Sequence, residues 1–231
     1  MCTRFVYNGN DTVTGFNFDI DLAVWDHQVI EEKDRFYIGI RMPDHEYHSF
    51  HGVNVNGNVG TLLYVHGNEK GQYTDGEHCC SIAGLTEAFI KGEISLDDAL
   101  RIVRTKSVVY APDATMQSML SDKSGRVLII EPGIGYRLEK ERFSLITNYS
   151  LLCPEDTQPY IVPGDDRYER AKDRLKQFGS GFSAADAMSV LEEVRQEGEW
   201  ATRVSFVYSA AEQKVRYVLN NEFDRILEYR F

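Results

Sequence analysis

The hydrophobic period of this 231-residue chain changes several times, and the order of the changes restricts the architectures open to it. Residues 3–8 and 11–19 read as two short strands around Gly9-Asn10, a hairpin signal. Residues 36–40, 52–55 and 59–65 continue the strand pattern, with Asn56-Gly57 as a turn. The period then lengthens. Leu85, Ala88 and Phe89 share one helical face; Leu96, Ala99, Leu100 and Val103 share another, opened by Ser95 with Asp98 three residues on, and Gly92 separates the two. Strand patterns return at 116–120, 127–130, 135–138 and 143–147, with turns at Ser124-Gly125 and Pro132-Gly133. Residues 153–164 hold three of the six prolines and read as a connecting loop. A second helix pair follows: Tyr168, Ala171, Leu175 and Phe178, then Ala184, Ala187, Met188, Leu191 and Val194 behind a Ser183–Asp186 cap. Strands at 202–209, 215–219 and 226–229 close the chain.

Strands, helix pair, strands, helix pair, strands is an order that two sheets satisfy when each has its outer face covered. The expected class is α+β, with four layers, helices–sheet–sheet–helices, in a single domain over residues 1–231. Hydrophobic residues make up 42% and charged residues 26%, which fits a packed globular core. A net charge of −11 argues against nucleic acid and against an anionic membrane surface, both of which need clustered Lys and Arg. No apolar run approaches the roughly 18 residues of a membrane span, and Met-Cys-Thr-Arg-Phe lacks the pattern of a signal peptide. Four cysteines with no C-x-x-C pair, and with Cys79 and Cys80 adjacent, point to free thiols in a reducing compartment, the cytoplasm.

Cys2 is the most informative residue. Methionine aminopeptidase tolerates only a small second residue, and cysteine is small. Removal of Met1 leaves a cysteine carrying both an α-amine and a thiol. An α-amine with a pKa near 7.7–8.0 is partly neutral at pH 7 and can take the thiol proton, directly or through one water. One residue is then nucleophile and base together. The alternative is that position 2 holds an arbitrary small residue. Gly15-Phe16-Asn17-Phe18-Asp19 ends the second strand of the hairpin that Cys2 begins, so Asp19 lies beside Cys2, where its carboxylate can hold the α-ammonium.

His45, His48 and His51 recur every three residues beside Asp44 and Glu46. Three imidazoles suit zinc, but this spacing shares a face only in a helix, and the segment reads as the approach to a strand. Polar loop histidines are the expectation. Glu77-His78-Cys79-Cys80 is a weak ligand cluster, and Gly133-Ile134-Gly135 lacks a dinucleotide fingerprint. No metal and no cofactor are expected.

In order along the chain, Met1-Cys2-Thr3, Gly15-Phe16-Asn17-Phe18-Asp19, Gly52-Val53-Asn54-Val55-Asn56-Gly57, Leu120-Ser121-Asp122-Lys123-Ser124-Gly125 with Ile129-Ile130-Glu131-Pro132, Thr147-Asn148-Tyr149 and Asp166-Arg167-Tyr168-Glu169-Arg170-Ala171 resemble the motifs of the choloylglycine hydrolase family. That family contains bile salt hydrolases and penicillin V acylases, which are N-terminal-nucleophile (Ntn) amide hydrolases. The resemblance implies the four-layer αββα Ntn sandwich. It also implies cleavage of a linear, non-peptide C–N amide of a small-molecule N-acyl compound through a thioester. Cys2 is then the nucleophile, Asp19 orients the α-amine, and Asn148 donates to the oxyanion, a contact worth about 3–4 kcal/mol of barrier. Arg167 supports Cys2 and Asp19, with Arg170 as the alternative one turn on. Phe16, Asn17, Phe18, Leu63, Tyr64 and Tyr149 are the expected substrate-facing set; core packing is the competing role for the aromatic ones.

Two departures from the family pattern stand out. Phe16 occupies the place of an arginine beside the nucleophile, which removes a cation that lowers a thiol pKa. Leu63 occupies the approximate place of an asparagine, leaving a backbone N–H as second oxyanion donor. Acyl transfer from the same thioester, or a non-catalytic ligand-binding role, are the alternatives. Assembly into a homo-oligomer is left open.

Overall fold

The computed structural model describes residues 2–231. The strands are β1 (Cys2–Asn8), β2 (Thr12–Asp19), β3 (His27–Glu31), β4 (Arg35–Arg41), β5 (Tyr47–Asn54), β6 (Val59–Tyr64) and β7 (Cys79–Ser81), followed by helices α1 (Ile82–Ile90) and α2 (Leu96–Thr105). Next come β8 (Ser107–Val109), β9 (Met116–Ser121), β10 (Val127–Glu131), β11 (Gly135–Glu139) and β12 (Phe143–Ile146). The chain ends with α3 (Pro154–Thr157), α4 (Arg167–Lys176), α5 (Ala184–Glu193), β13 (Thr202–Ser209), β14 (Lys214–Leu219) and β15 (Leu227–Arg230).

Six strands form one antiparallel sheet in the order β12-β1-β2-β13-β14-β15, and seven form another in the order β11-β10-β9-β6-β5-β4-β3. Alternation along each strand decides what goes where. On β1, Cys2 and Val6 face the second sheet, in a core shared with Phe16, Phe36, Leu63, Met119 and Phe206. Phe5 and Tyr7 point the other way, against Leu175, Phe182 and Leu191 of the α4–α5 layer. On the second sheet, Leu62, Leu120, Leu128 and Ile130 turn outward to Leu85, Phe89, Leu100 and Val103 of α1 and α2. The result is the expected four-layer αββα sandwich.

Local chemistry fixes several boundaries. Ser95 and Asp98 cap α2 reciprocally, and Ser183 and Asp186 do the same for α5. Gly57 turns β5 into β6 at φ 79°, where a Cβ would lie 2.8 Å from that of Lys123. Gly15 leaves room for the Phe5 ring, whose Cζ would stand 2.2 Å from a Cβ there.

Some details differ from the sequence reading. The pattern of β3 was too mixed to read as a strand, since its residues are only half-buried on a sheet edge. β7 and β8 make a small parallel pair, in which Cys79 and Cys80 alternate as free thiols. The proline-rich stretch carries the short helix α3. His48 and His51 are not loop residues: both lie on β5, and they emerge on opposite faces. His48 bonds Asp44 and Glu87, whereas His51 is buried against Phe16 and Phe18. No helix is long and apolar enough to cross a membrane, and no cluster of three metal-ligating side chains occurs among the described residues.

Candidate active site

The hairpin register pairs Cys2 with Phe18, which puts Asp19 one residue beyond the start of β1. β13 flanks β2 on its other side and pairs Thr202 with Asp19, just before a register shift. On the opposite edge of β1, β12 ends at Ile146 and delivers Asn148 to the same end of the sheet. The first turn of α4 brings Arg167 over these three. Cys2, Asp19, Asn148 and Arg167 therefore converge, although up to 165 residues separate them.

Arg167 and Asp19 are 3% and 2% exposed, so neither charge is shared with water. Arg167 Nη1 donates to Asp19 Oδ2 at 3.0 Å and to the Cys2 carbonyl at 3.1 Å. Its Nη2 donates to Asn148 Oδ1 at 3.0 Å. Nε and Nη2 also grip both oxygens of Asp165, at 2.8 and 2.6 Å. This fork is the kind of fixed planar recognition that lysine does not supply. Asp19 accepts further hydrogen bonds from Thr202 Oγ1 at 2.6 Å and Gln196 Nε2 at 2.9 Å. Burial pushes its carboxyl above the ordinary value, against the opposing pull of Arg167, Thr202 and Gln196.

Cys2 is buried. Its backbone N–H donates to Asn148 Oδ1 at 2.8 Å, and Asn148 Nδ2 donates to the Tyr64 carbonyl at 2.8 Å. Two donors converge on Oδ1, from Cys2 and Arg167, and they fix which end of the amide is which. Burial pushes the Cys2 thiol up to about 11; the Asp19 carboxylate pushes the same way, while the Asp19 backbone N–H and Arg167 oppose it. A thiol held this high keeps its proton at pH 7, so nucleophilic attack needs a base at the moment of reaction.

Cys2, Asp19 and Asn148 open onto a cavity of about 1050 Å³. Of the six expected substrate-facing residues, Phe18, Tyr64 and Tyr149 line it. Phe16, Asn17 and Leu63 do not. Phe16 is sealed in the core between the sheets, stacked on His51 with ring centroids 5.2 Å apart. Asn17 faces the helix layer, donating to the Leu191 carbonyl and accepting from Ser205. Leu63 points into the inter-sheet core, and its neighbours Leu62 and Tyr64 reach the cavity instead. A strand alternates, so one position of error moves a side chain to the other face. Arg170 is on the surface, paired with Asp166 and the Glu193 carbonyl.

Sequence reading missed Asp165, Gln196, Thr202 and His51. Asp165 and Asp166 are adjacent acids ahead of a helix, and only the fold shows which one grips Arg167. Thr202 opens a well-patterned strand, but nothing local says that the strand lies beside Asp19. His51 Nδ1 accepts the Leu62 N–H at 3.2 Å, and burial pushes the ring down to about 3, so it is neutral.

No protein-family model matches the chain, and no curated protein matches it in sequence. Solved structures do match in fold. A penicillin V acylase from Agrobacterium tumefaciens aligns with TM-score 0.66 and 18% identity over 94% of this chain and 83% of its own. A mutant of the conjugated bile acid hydrolase from Clostridium perfringens aligns with TM-score 0.71 and 12% identity over 100% and 92%. The Caenorhabditis elegans orthologue of N-acylethanolamine-hydrolyzing acid amidase aligns with TM-score 0.59 and 14% identity over 90% and 93%. The chain shares the fold of these three enzymes, a four-layer αββα sandwich as the motif resemblance implied.

Proposed function

We propose that the protein is an N-terminal-cysteine amide hydrolase of the choloylglycine hydrolase kind, acting on a small N-acyl compound. The observation that carries this reading is the single network joining the Cys2 nitrogen, Asn148, Arg167 and Asp19 at the floor of the cavity. Met1 lies outside the described residues, and its removal is part of the proposal.

Once Met1 is gone, the Cys2 nitrogen becomes an α-amine that already rests on Asn148 Oδ1. It is the base that a thiol with a raised pKa requires. The amine takes the thiol proton, and Sγ attacks the amide carbonyl. The oxyanion receives the second hydrogen of Asn148 Nδ2, whose first is committed to Tyr64. The α-ammonium returns its proton to the leaving amine as the C–N bond breaks. Water, deprotonated by the same amine, then hydrolyses the thioester. Asp19 and Arg167 set the position and charge of the residue that does both jobs.

Phe16 favours one second reading. Burial holds the thiol high, and Phe16 supplies no cation to offset it, which suits a chain that binds amphipathic ligands without cleaving them. An amine that replaces water as the group attacking the thioester, releasing the Cys2 thiolate, makes the same site an acyltransferase. The test is release of free amine from a panel of N-acyl amides by the wild-type chain and by Cys2→Ala. Cleavage by the former alone supports the hydrolase. Binding without cleavage by either supports the ligand-binding reading, and an acylated amine as product supports transfer.

A further inference from the structure

The cavity lining has a charge pattern that amide hydrolysis does not itself demand. Among the described residues it contains no lysine and no arginine. Its charged members are Asp19, Asp113 and Asp165. Of its two imidazoles, His51 is neutral, and His66 lies flat on Tyr160 with centroids 3.3 Å apart. Arg167 stands behind the wall rather than in it, with guanidinium N–H groups donating to Asp19, Asp165, Asn148 and the Cys2 carbonyl.

We infer that this cavity takes an amide carrying no anionic group, whose amine half is uncharged or cationic. The inference rests on the hydrolase reading for the amide alone. Most of the lining is apolar, Phe18, Trp25, Ile40 and Met42 among it. A carboxylate or sulfonate entering this space sheds water, meets no lysine or arginine and faces carboxylates. A neutral head group avoids that penalty. A cationic one meets Asp113, which is exposed at the rim and has no ion-pair partner among the described residues. The conclusion does not depend on which half of the substrate lies deeper, because neither end of the lining offers a lysine or arginine among the described residues, and the Cys2 α-amine is already held by Asn148 and beside Asp19.

Three decanoyl amides of matched size separate the cases: the glycine conjugate (anionic), the glycinamide conjugate (neutral) and the mono-amide of ethylenediamine (cationic). Their affinities for the full Cys2→Ala chain are measured by titration calorimetry. The neutral and cationic ligands are expected to bind about tenfold or more tightly than the glycine conjugate. Equal or tighter binding of the glycine conjugate, or binding of none of the three, overturns the inference. Hydrolysis by the wild-type chain distinguishes the two readings. If Cys2→Ala ranks the ligands as expected and the wild type cleaves none, the hydrolase reading fails and the charge selectivity stands. If the wild type cleaves the glycine conjugate at least as fast as the glycinamide, the selectivity fails and the hydrolase reading stands.

Discussion

Replacing Arg4 with methionine should make this protein more stable. Arg4 lies on β1 two residues from Cys2 and is 0% exposed between the two sheets. Its guanidinium donates to the Phe5 carbonyl and to Ser121 Oγ, and Nε has no partner. It makes no ion pair among the described residues. Burial pushes the side chain down from its ordinary value to about 9, and at about 1.4 kcal/mol per pH unit the charge costs about 5 kcal/mol. Methionine fills a similar volume without the charge. It leaves Ser121 Oγ and the Phe5 carbonyl short of a donor, which returns about 1–3 kcal/mol. The net gain is about 2–4 kcal/mol, within the span seen when buried charges are replaced by apolar side chains. Arg4 is charged below about 9, and the cost is relieved only as pH rises from there towards the ordinary value of an arginine. The gain should therefore be the same at pH 6 and pH 8. Urea unfolding at both values reads it as a higher midpoint at unchanged slope. A variant less stable than the wild type by more than about 1 kcal/mol would refute the reasoning.

Asn148→Ala should lower kcat by about 10²–10³ with a small change in KM, since the donor acts on charge that develops only in the transition state; steady-state kinetics on any cleaved amide checks this, and an unchanged kcat contradicts it. Thr202→Val removes the 2.6 Å bond to Asp19, a bond that favours the charged carboxylate. The carboxyl, already raised by burial, should rise further, so the low-pH loss of kcat/KM should begin about one pH unit higher. An unmoved acid limb would detach Asp19 from that limb. Ser95→Ala removes one half of the α2 capping box and should cost about 1 kcal/mol, or about 2–4 °C in Tm, by calorimetry.

The layers were legible because each sheet and helix buries one face, and burial leaves a period in the sequence. The helix caps Ser95 and Ser183 were legible for the same local reason. Cys2 came from its place directly after Met1, and Asp19 from hairpin geometry, since two paired strands must bring their ends together. Asn148 and Arg167 came from motif resemblance, as neither a strand-end asparagine nor a first-turn arginine announces a role. Leu63 shows the limit of that approach: aligning a motif by one position is enough to exchange a core side chain for a cavity one, and Tyr64 is 49% exposed where Leu63 is buried. Phe16 fails for another reason. Its place in the motif is beside the nucleophile, but an apolar ring there gains more from packing on His51 and Phe206 than from facing a cavity. Gln196, Thr202 and Asp165 act through pairings between distant segments, which leave no local pattern.

The central claim is that Cys2 becomes the N-terminal residue and carries the acyl group. Its most direct test is the intact mass of the chain, purified from an ordinary cellular host and quenched in acid moments after mixing with an activated acyl ester, with peptide mapping of the adduct. The account expects a chain lacking Met1, bearing one acyl group on Cys2. A chain that retains Met1, or one whose acyl group is found on Cys79, Cys80 or Cys153 while Cys2 stays unmodified, would contradict it.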